Sequence, residues 1–172
     1  IVGSVRWVYE TAVAEYSVLD GTGEVAAARS LSPDEYEGWV DWINPVTGES
    51  MGTPRKPGEG TKGSPLFAEM TINAPKSLSV AAALHPEVSD ALAAAQQDAL
   101  AEIRRWRGQH SVTRVGPRDA REINPIERMQ VVGIRHKASR AGDPHRHIHM
   151  QIGTRVWAAG KWRALDTAAL FK

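Results

Sequence analysis

The spacing of apolar and polar residues predicts two helical regions in the first two thirds of the chain. The first covers residues 32–43. It begins at Ser32, which suits the N-cap, and continues with Pro33 at the first helical position and Glu35 at the third, as in a capping box. We therefore expect a short, well-capped helix early in the chain.

The second helical region is rich in Ala and begins at Pro75. It runs to about Arg107 with a break at residues 85–86, because the residue before a proline is disfavoured in a helix. Between the two regions, residues 44–63 are rich in Gly, Pro, Lys and Thr and predict a loop. That loop leads into a strand over residues 66–73.

Beyond the second helical region the apolar period shortens to that of a β-strand. A polar loop over residues 139–144 separates two strands that are long enough to pair as an antiparallel hairpin. Strands are predicted at residues 112–115, 130–136, 145–157 and 161–165, with a tight turn at 159–160 and a final helix capped by Asp166. This order predicts an α+β fold, an antiparallel sheet with helices packed on one face.

Composition limits the class of protein. The 172 residues are the size of one domain, and a hydrophobic content of 42% is enough for one core. Without cysteine, a metal ion would need His, Asp or Glu ligands. No apolar run reaches the roughly 18 residues that span a membrane. The start at Ile1 has neither an initiator Met nor a signal-peptide pattern, and we expect both ends to be cut from a longer chain.

Charge is distributed unevenly although the net charge is only +1. Residues 104–163 contain fourteen Lys and Arg but four acidic residues, and the other acids collect mainly in residues 1–60. A basic half of this kind can attract phosphate. On charge alone, however, a solvated and salt-bridged surface is the favoured interpretation.

Four of the six histidines lie within fourteen residues. His147 and His149 are two apart on a predicted strand, so their side chains share one face. A hairpin would bring His136, near the end of the preceding strand, beside them. Three neutral imidazoles could then hold a metal ion with coordination positions left open for substrate. His145 has the same parity and is a candidate fourth ligand, second-layer group or phosphate contact.

Three blocks of the sequence resemble the TrwC/TraI-type conjugative relaxases. Residues 135–149, RHKASRAGDPHRHIH, resemble the family pattern H-x-T-S-R-x-x-D-P-x-x-H-T-H. Residues 69–80, EMTINAPKSLSV, resemble D-L-T-F-S-A-P-K-S-V-S, and residues 161–166, KWRALD, resemble W-R-A-L. The order and spacing agree with the family from about Ser32 to Lys172.

The resemblance implies an HUH-type, palm-like antiparallel sheet with metal and DNA on one face. Residues 1–172 would form the relaxase domain of a longer relaxase or relaxase-helicase in the bacterial cytoplasm. Such a domain nicks and rejoins one strand at a plasmid transfer origin through a 5′-phosphotyrosine intermediate. By residue matching, His136, His147 and His149 would bind a divalent ion, Mg or Mn, with Zn as an alternative. Its partners would be single-stranded origin DNA, a helicase domain in cis and accessory transfer proteins, with no membrane.

Two positions of the second block carry further expectations. Glu69 stands where the family has Asp, a carboxylate expected to orient a metal-bound His; the alternatives are a different pocket, a shifted metal geometry or a surface Glu at a strand end. Lys76 follows Pro75 at the start of a predicted helix, where a phosphate contact and simple helix initiation are equally supported.

The nucleophile is assigned to Tyr9, since the chain has no Tyr-Tyr pair of the kind the family carries near its N-terminus. Tyr9 and Tyr16 lie with Trp7 at loosely helical spacing. Tyr36 matches a core aromatic of the family, and Tyr16 matches a position held by Trp. The alternatives are Tyr16, a nucleophile upstream of Ile1 and outside this chain, or the loss of the nucleophile.

Basic residues around the motifs are the predicted DNA contacts. Besides Lys76 and His145 they are Arg140, Arg146 and Arg163. Trp157 and Trp162 are candidates for stacking on bases, although most tryptophans are core residues. Three competing functions stay open: a relaxase-like module that binds single-stranded DNA without cutting it, a metal hydrolase acting on a small phosphoester, and a structural metal site.

Overall fold

A computed structural model describes residues 13–117 and 119–170 of the chain. Within these residues the strands are β1 (Ala14–Asp20), β2 (Val25–Leu31), β3 (Phe67–Asn73), β4 (Val112–Val115), β5 (Glu122–Pro125), β6 (Arg128–Ala138), β7 (Pro144–Gly153), β8 (Arg155–Ala158) and β9 (Lys161–Ala164). The helices are α1 (Pro33–Val40), α2 (Lys76–Leu84), α3 (Pro86–His110) and α4 (Thr167–Leu170).

The central sheet is antiparallel, with the strand order β2-β1-β6-β7-β3. Strands β8 and β9 extend it, because β8 pairs with β6 and β9 pairs with β8. Strands β4 and β5 form a separate two-stranded sheet. The predicted α+β fold with an antiparallel sheet is confirmed.

The helices divide the core between the two faces of the sheet. The face toward α3 is aliphatic and includes Leu100 of the helix with Val131, Ile148 and Met150 of the sheet. The opposite face carries α1, whose Tyr36 and Trp39 pack in one cluster with Tyr16, Val132 and Ile134. The long helices thus lie on one face as expected, and the short α1 covers part of the other.

Capping and turn chemistry act where the sequence predicts them. Ser32 Oγ accepts from the Glu35 amide, and the Glu35 carboxylate accepts from the Ser32 amide, which completes the predicted capping box. The turn at Ala159 and Gly160 has positive φ at both residues, the form that joins two twisted antiparallel strands most readily.

Two boundaries differ from the prediction for a clear physical reason. Helix α1 ends at Val40 rather than at residue 43, because Trp42 adopts a positive φ of 66°. The strand predicted over residues 145–157 is interrupted at Thr154, whose hydroxyl donates to the backbone oxygens of Pro65 and Leu66 in the loop before β3. The interruption separates β7 from β8 and leaves the rest of that strand as predicted.

The hairpin of β1 and β2 and the strand β5 are absent from the sequence prediction. Tyr16 belongs to β1, so its loosely helical spacing from earlier aromatic residues is misleading. Strand β1 lies between β2 and β6 and buries residues on both faces, as Tyr16 and Leu19 show. A strand buried on both sides lacks the alternation of apolar and polar residues that identifies a half-exposed strand.

Candidate metal and DNA site

The pairing of β6 with β7 brings the three predicted ligands together. His136 lies directly opposite His147, and Ile134 lies opposite His149. Because side chains alternate along each strand, His136, His147 and His149 share the sheet face that carries α1. Their ring centroids are 5.1 Å apart for His136 and His147, 5.3 Å for His136 and His149, and 4.9 Å for His147 and His149.

The hydrogen bonds of two rings leave their second nitrogen available. His147 Nδ1 lies 2.8 Å from the backbone oxygen of His145, and His149 Nδ1 lies 2.9 Å from Glu69 Oε1. Each Nδ1 therefore carries its proton toward an oxygen, which leaves Nε2 with a lone pair. His136 Nε2 is buried and has no hydrogen-bond partner among the described residues.

The donor chemistry fits a divalent ion, whereas the arrangement is not that of a preformed site. Among residues 13–117 and 119–170, no three His, Asp or Glu side chains are arranged as the ligands of one ion. The rings nevertheless lie within about 5 Å of one another. The buried Nε2 of His136 and the Nε2 lone pairs of His147 and His149 together form the donor set of an open metal site. Binding an ion requires the rings to turn toward one another.

Burial favours the neutral imidazoles that metal binding needs. It lowers the pKa of both His136 and His147, and the neighbouring histidines lower it further. The hydrogen bond from His149 holds the pKa of Glu69 below its usual range, so this carboxylate stays ionised beside the cluster. One anionic group thus adjoins the histidine cluster, a combination suited to a dication.

Glu69 occupies the position from which a carboxylate can orient His149. It lies on β3, where Glu69 pairs with Gln151 and Thr71 pairs with His149. Besides its contact with His149, its second oxygen accepts from Gln151 Nε2 at 3.0 Å. Sequence reasoning missed Gln151, although its position two residues after His149 on one strand face would have indicated it.

Three of the predicted DNA contacts lie around the same end of the hairpin. The His145 ring is 5.0 Å from that of His147, and its buried Nδ1 has no hydrogen-bond partner among the described residues. Lys76, at the start of α2, forms a 2.9 Å ion pair with Asp143 in the hairpin loop. Arg140 is exposed in that loop.

Arg146 lies away from the histidines, on the opposite sheet face. Its guanidinium donates to the backbone oxygen of Ser89 at 3.0 Å and to the Ser89 hydroxyl at 2.7 Å. Its backbone amide donates to Ser79, and its backbone oxygen accepts from Gln96. The side chain predicted to contact DNA instead fastens β7 to the helices α2 and α3.

Arg163 belongs to a different part of the surface. Strands β8 and β9 join the sheet where Arg128 pairs with Trp157, roughly 27 Å along β6 from His136 at about 3.4 Å per residue. There Arg163 lines a basic pocket of about 490 Å³ together with Arg114, Arg121 and Lys161. The structure does not bring this arginine to the histidines.

The aromatic pair of this second region is partly covered. Trp157 and Trp162 meet edge to face with ring centroids 5.5 Å apart, and the Arg128 guanidinium lies 5.1 Å from the centre of the Trp157 ring. Both indoles are half-buried. Their exposed edges leave base stacking as a prediction.

Neither tyrosine in the described residues is presented to a substrate. Tyr16 and Tyr36 are each 1% exposed, and burial raises the pKa of both hydroxyls, that of Tyr36 to about 12. Tyr36 Oη donates to Gln151 Oε1 at 2.6 Å. Tyr9 lies outside the described residues, so its assignment as the nucleophile stays a prediction.

Comparison with solved structures establishes the fold. A conjugative relaxase TrwC in complex with origin DNA, in a metal-free structure, aligns with a TM-score of 0.72 and 21% identity over 99% of this chain and 58% of that one. A metal-bound complex of TrwC with origin DNA aligns with a TM-score of 0.72 and 21% identity over 98% and 59%. A TrwC complex with a 27-mer DNA comprising the recognition hairpin and the cleavage site aligns at 0.70 and 21% over 97% and 57%.

The chain spans less than two thirds of the length of these relatives. Comparison with curated protein sequences finds no match. Within the described residues, no helix combines the length and apolar character needed to cross a membrane. A family model for the TrwC relaxase matches residues 5–172, nearly the whole chain. The chain therefore belongs to the TrwC relaxase family.

Proposed function

We propose that this chain nicks and rejoins one DNA strand at a plasmid transfer origin in a metal-dependent reaction. The observation that carries the proposal is the cluster of His136, His147 and His149, whose rings lie 4.9–5.3 Å apart on one sheet face of a relaxase-family fold. Related TrwC structures hold origin DNA with and without metal, which supports both parts of the proposal.

The chain's own residues would divide the chemistry between them. The three histidines would hold a divalent ion, Mg or Mn with Zn as the alternative, and Glu69 would fix the orientation of His149. When bound, the ion supplies positive charge to the oxygens of the scissile phosphate. In this proposal the Tyr9 hydroxyl loses its proton and attacks the phosphorus, and the 3′ oxygen leaves as a hydroxyl after gaining a proton.

The resulting phosphotyrosine keeps the 5′ phosphate attached to the protein. A 3′ hydroxyl can attack the same phosphorus, restore the phosphodiester and release the tyrosine, because an ester has been exchanged for an ester. The reaction therefore needs no energy source for rejoining. The features of the chain that would serve it are the clustered histidine nitrogens, which could hold a cation beside the phosphate.

Single-stranded DNA would approach the histidine end of the hairpin. His145, Lys76 and Arg140 surround this end and are the proposed phosphate contacts. Arg163 and its basic pocket would contact a more distant part of the DNA. Arg146 is committed to Ser89, and we assign it to packing instead.

A module that binds DNA without cutting it is the second candidate function. It is favoured by one observation, the burial of Tyr16 and Tyr36. Of the three tyrosines in this chain, only Tyr9 is then left as a candidate nucleophile. In both proposals residues 1–172 are the relaxase domain of a longer bacterial protein in the cytoplasm. A helicase domain in cis and accessory transfer proteins would complete the transfer machinery.

The experiment that separates the two functions uses a single-stranded origin oligonucleotide with Mg²⁺ or Mn²⁺. Mass spectrometry of the protein after incubation should show a nucleotide adduct on Tyr9. Tyr9→Phe should abolish the adduct and the nick while leaving the affinity for the oligonucleotide within about threefold. Tyr16→Phe is the matched control and should keep both activities. Tight binding by the wild type without nick or adduct would support the binding module.

A further inference from the structure

Both oxygens of the Glu69 carboxylate are engaged by neighbours on the same sheet face. Oε1 lies 2.9 Å from His149 Nδ1, and Oε2 accepts from Gln151 Nε2 at 3.0 Å. Gln151 Oε1 in turn accepts from the Tyr36 hydroxyl at 2.6 Å. A continuous chain of three hydrogen bonds thus runs from helix α1 in the core to the imidazole of His149.

The chemistry of the partners fixes the direction of every bond in this chain. A carboxylate only accepts, so the Gln151 amide must turn its NH₂ group toward Glu69 and its oxygen toward Tyr36. The reversed amide would place two acceptors against each other. For the same reason His149 must place its proton on Nδ1, and Nε2 then keeps the lone pair that a metal ion needs.

Burial makes this arrangement costly to break. Gln151 is 4% exposed and Tyr36 is 1% exposed, so water has little access to replace a lost partner. A buried polar group without a partner carries its full desolvation penalty, which makes a satisfied network rigid. The half-exposed Glu69 is therefore held from its protected side by two core residues.

We propose that Gln151 and Tyr36 are positioning residues, which hold Glu69 in the rotamer that keeps His149 in its Nδ1–H tautomer. The inference deepens the proposed function, because it concerns the same candidate metal site. The Glu69 side chain is long enough to reach both His149 and Gln151. Neither positioning residue contacts the metal or the DNA in this proposal.

The chain contains a matched control in Gln130. This residue is 2% exposed, lies on the same sheet face and accepts from Trp39 Nε1 of the same helix at 3.0 Å. The Glu69 oxygens are bonded to His149 and Gln151 instead. Gln130→Met therefore removes a comparable buried bond to α1 without touching the path to His149.

The test measures the tautomer of His149 in the metal-free protein at a pH of about 8, where histidine side chains are generally neutral. Long-range ¹H–¹⁵N correlation spectra of the imidazole distinguish Nδ1–H from Nε2–H. Gln151→Met, which keeps the volume but removes the amide, should lower the ratio of Nδ1–H to Nε2–H about three- to tenfold. Gln130→Met should leave this ratio unchanged. An unchanged ratio in Gln151→Met, or an equal shift in both variants, overturns the proposal.

Mn²⁺ titration of the same proteins by calorimetry gives the second readout. Gln151→Met should bind Mn²⁺ about tenfold more weakly than the wild type, as expected when an outer partner of a ligand is lost. Gln130→Met should bind as the wild type does. A wild type that binds no Mn²⁺ while its tautomer responds to Gln151→Met would refute the metal site and leave the positioning role standing.

Tyr36→Phe decides the question if Gln151→Met fails to fold. The substitution removes one hydroxyl and keeps the ring that packs in the core. We expect a smaller shift of the tautomer ratio in the same direction, about twofold, because Gln151 keeps its own bond to Glu69. A ratio identical to that of the wild type would overturn the role of Tyr36. In the absence of folded Gln151→Met, it would overturn the whole proposal.

Discussion

The two faces of the central sheet differ in the kinds of side chain that they bury. The face toward α3 is covered by an aliphatic cluster that includes Leu100, Val131 and Met150, all 0% exposed. The α1 face mixes aromatic residues with buried polar side chains such as Gln130 and Gln151, and it ends in three histidines. Apolar packing has no preferred bond direction, whereas hydrogen bonds fix orientation. One face therefore supplies stability and the other supplies geometry.

His149→Ala tests this division with the largest expected effect. Removing a ligand together with its bond to Glu69 should lower metal-dependent nicking of origin DNA at least about a hundredfold. The midpoint of thermal unfolding should stay within a few degrees, because His149 is partly exposed and outside the aliphatic cluster. Nicking assays and calorimetry of the same preparation check both statements. Unchanged nicking would contradict the assignment of the site geometry to the α1 face.

Leu100→Ala makes the complementary change on the α3 face. Leu100 is fully buried in the aliphatic cluster, so truncation leaves a cavity and should cost about 2–5 kcal/mol of unfolding free energy. Chemical denaturation measures this loss. Nicking per folded molecule should remain within about threefold of the wild type at a temperature where the variant is folded. A large loss of nicking by folded protein would show that the faces are not independent.

The pH dependence of Mn²⁺ binding sharpens the comparison with a smaller effect. Burial lowers the pKa of His136 and His147 below the ordinary 6.5, so both rings are mainly neutral at pH 6.5. Proton competition at these two rings should therefore weaken Mn²⁺ binding mainly below a pH of about 6.5. Calorimetric titrations across this range locate the midpoint. A midpoint above the ordinary imidazole pKa would contradict the assigned burial.

The same shifts predict how the metal-free protein responds to acid. The unfolded chain binds protons at His136 and His147 more readily than the folded one, because the folded pKa values are depressed below 6.5. Stability is therefore lost as pH falls from the ordinary imidazole pKa toward the lowered values. Chemical denaturation at a series of pH values measures this loss. The Leu100→Ala variant should show the same pH trend from a lower starting point.

Local signals in the sequence predicted much of the fold. The capping box at Ser32, the break at residues 85–86 and the turn at residues 159–160 are each decided by neighbours in the chain, and the structure has all three. Strand β1 was missed, because both of its faces are buried and one of its two pairing partners, β6, is more than one hundred residues away.

The same distinction between local and long-range signals applies to the candidate site. The shared face of His147 and His149 follows from their spacing, and the hairpin loop makes His136 their neighbour. The bonds from Arg146 to Ser89 and from Tyr36 to Gln151 join elements that are distant in sequence. No local pattern distinguishes an arginine that meets DNA from one that fastens a helix.

The alternation along β7 limits how its gene can change. Three polar residues face the candidate site and three apolar residues enter the aliphatic core, and the two sets interleave one residue at a time: His147, His149 and Gln151 against Ile148, Met150 and Ile152. A codon substitution alters a single member of one set. An in-frame insertion or deletion of one codon within the strand would exchange the two sets and place imidazoles in the core. Single substitutions in β7 should therefore be tolerated more readily than insertions or deletions.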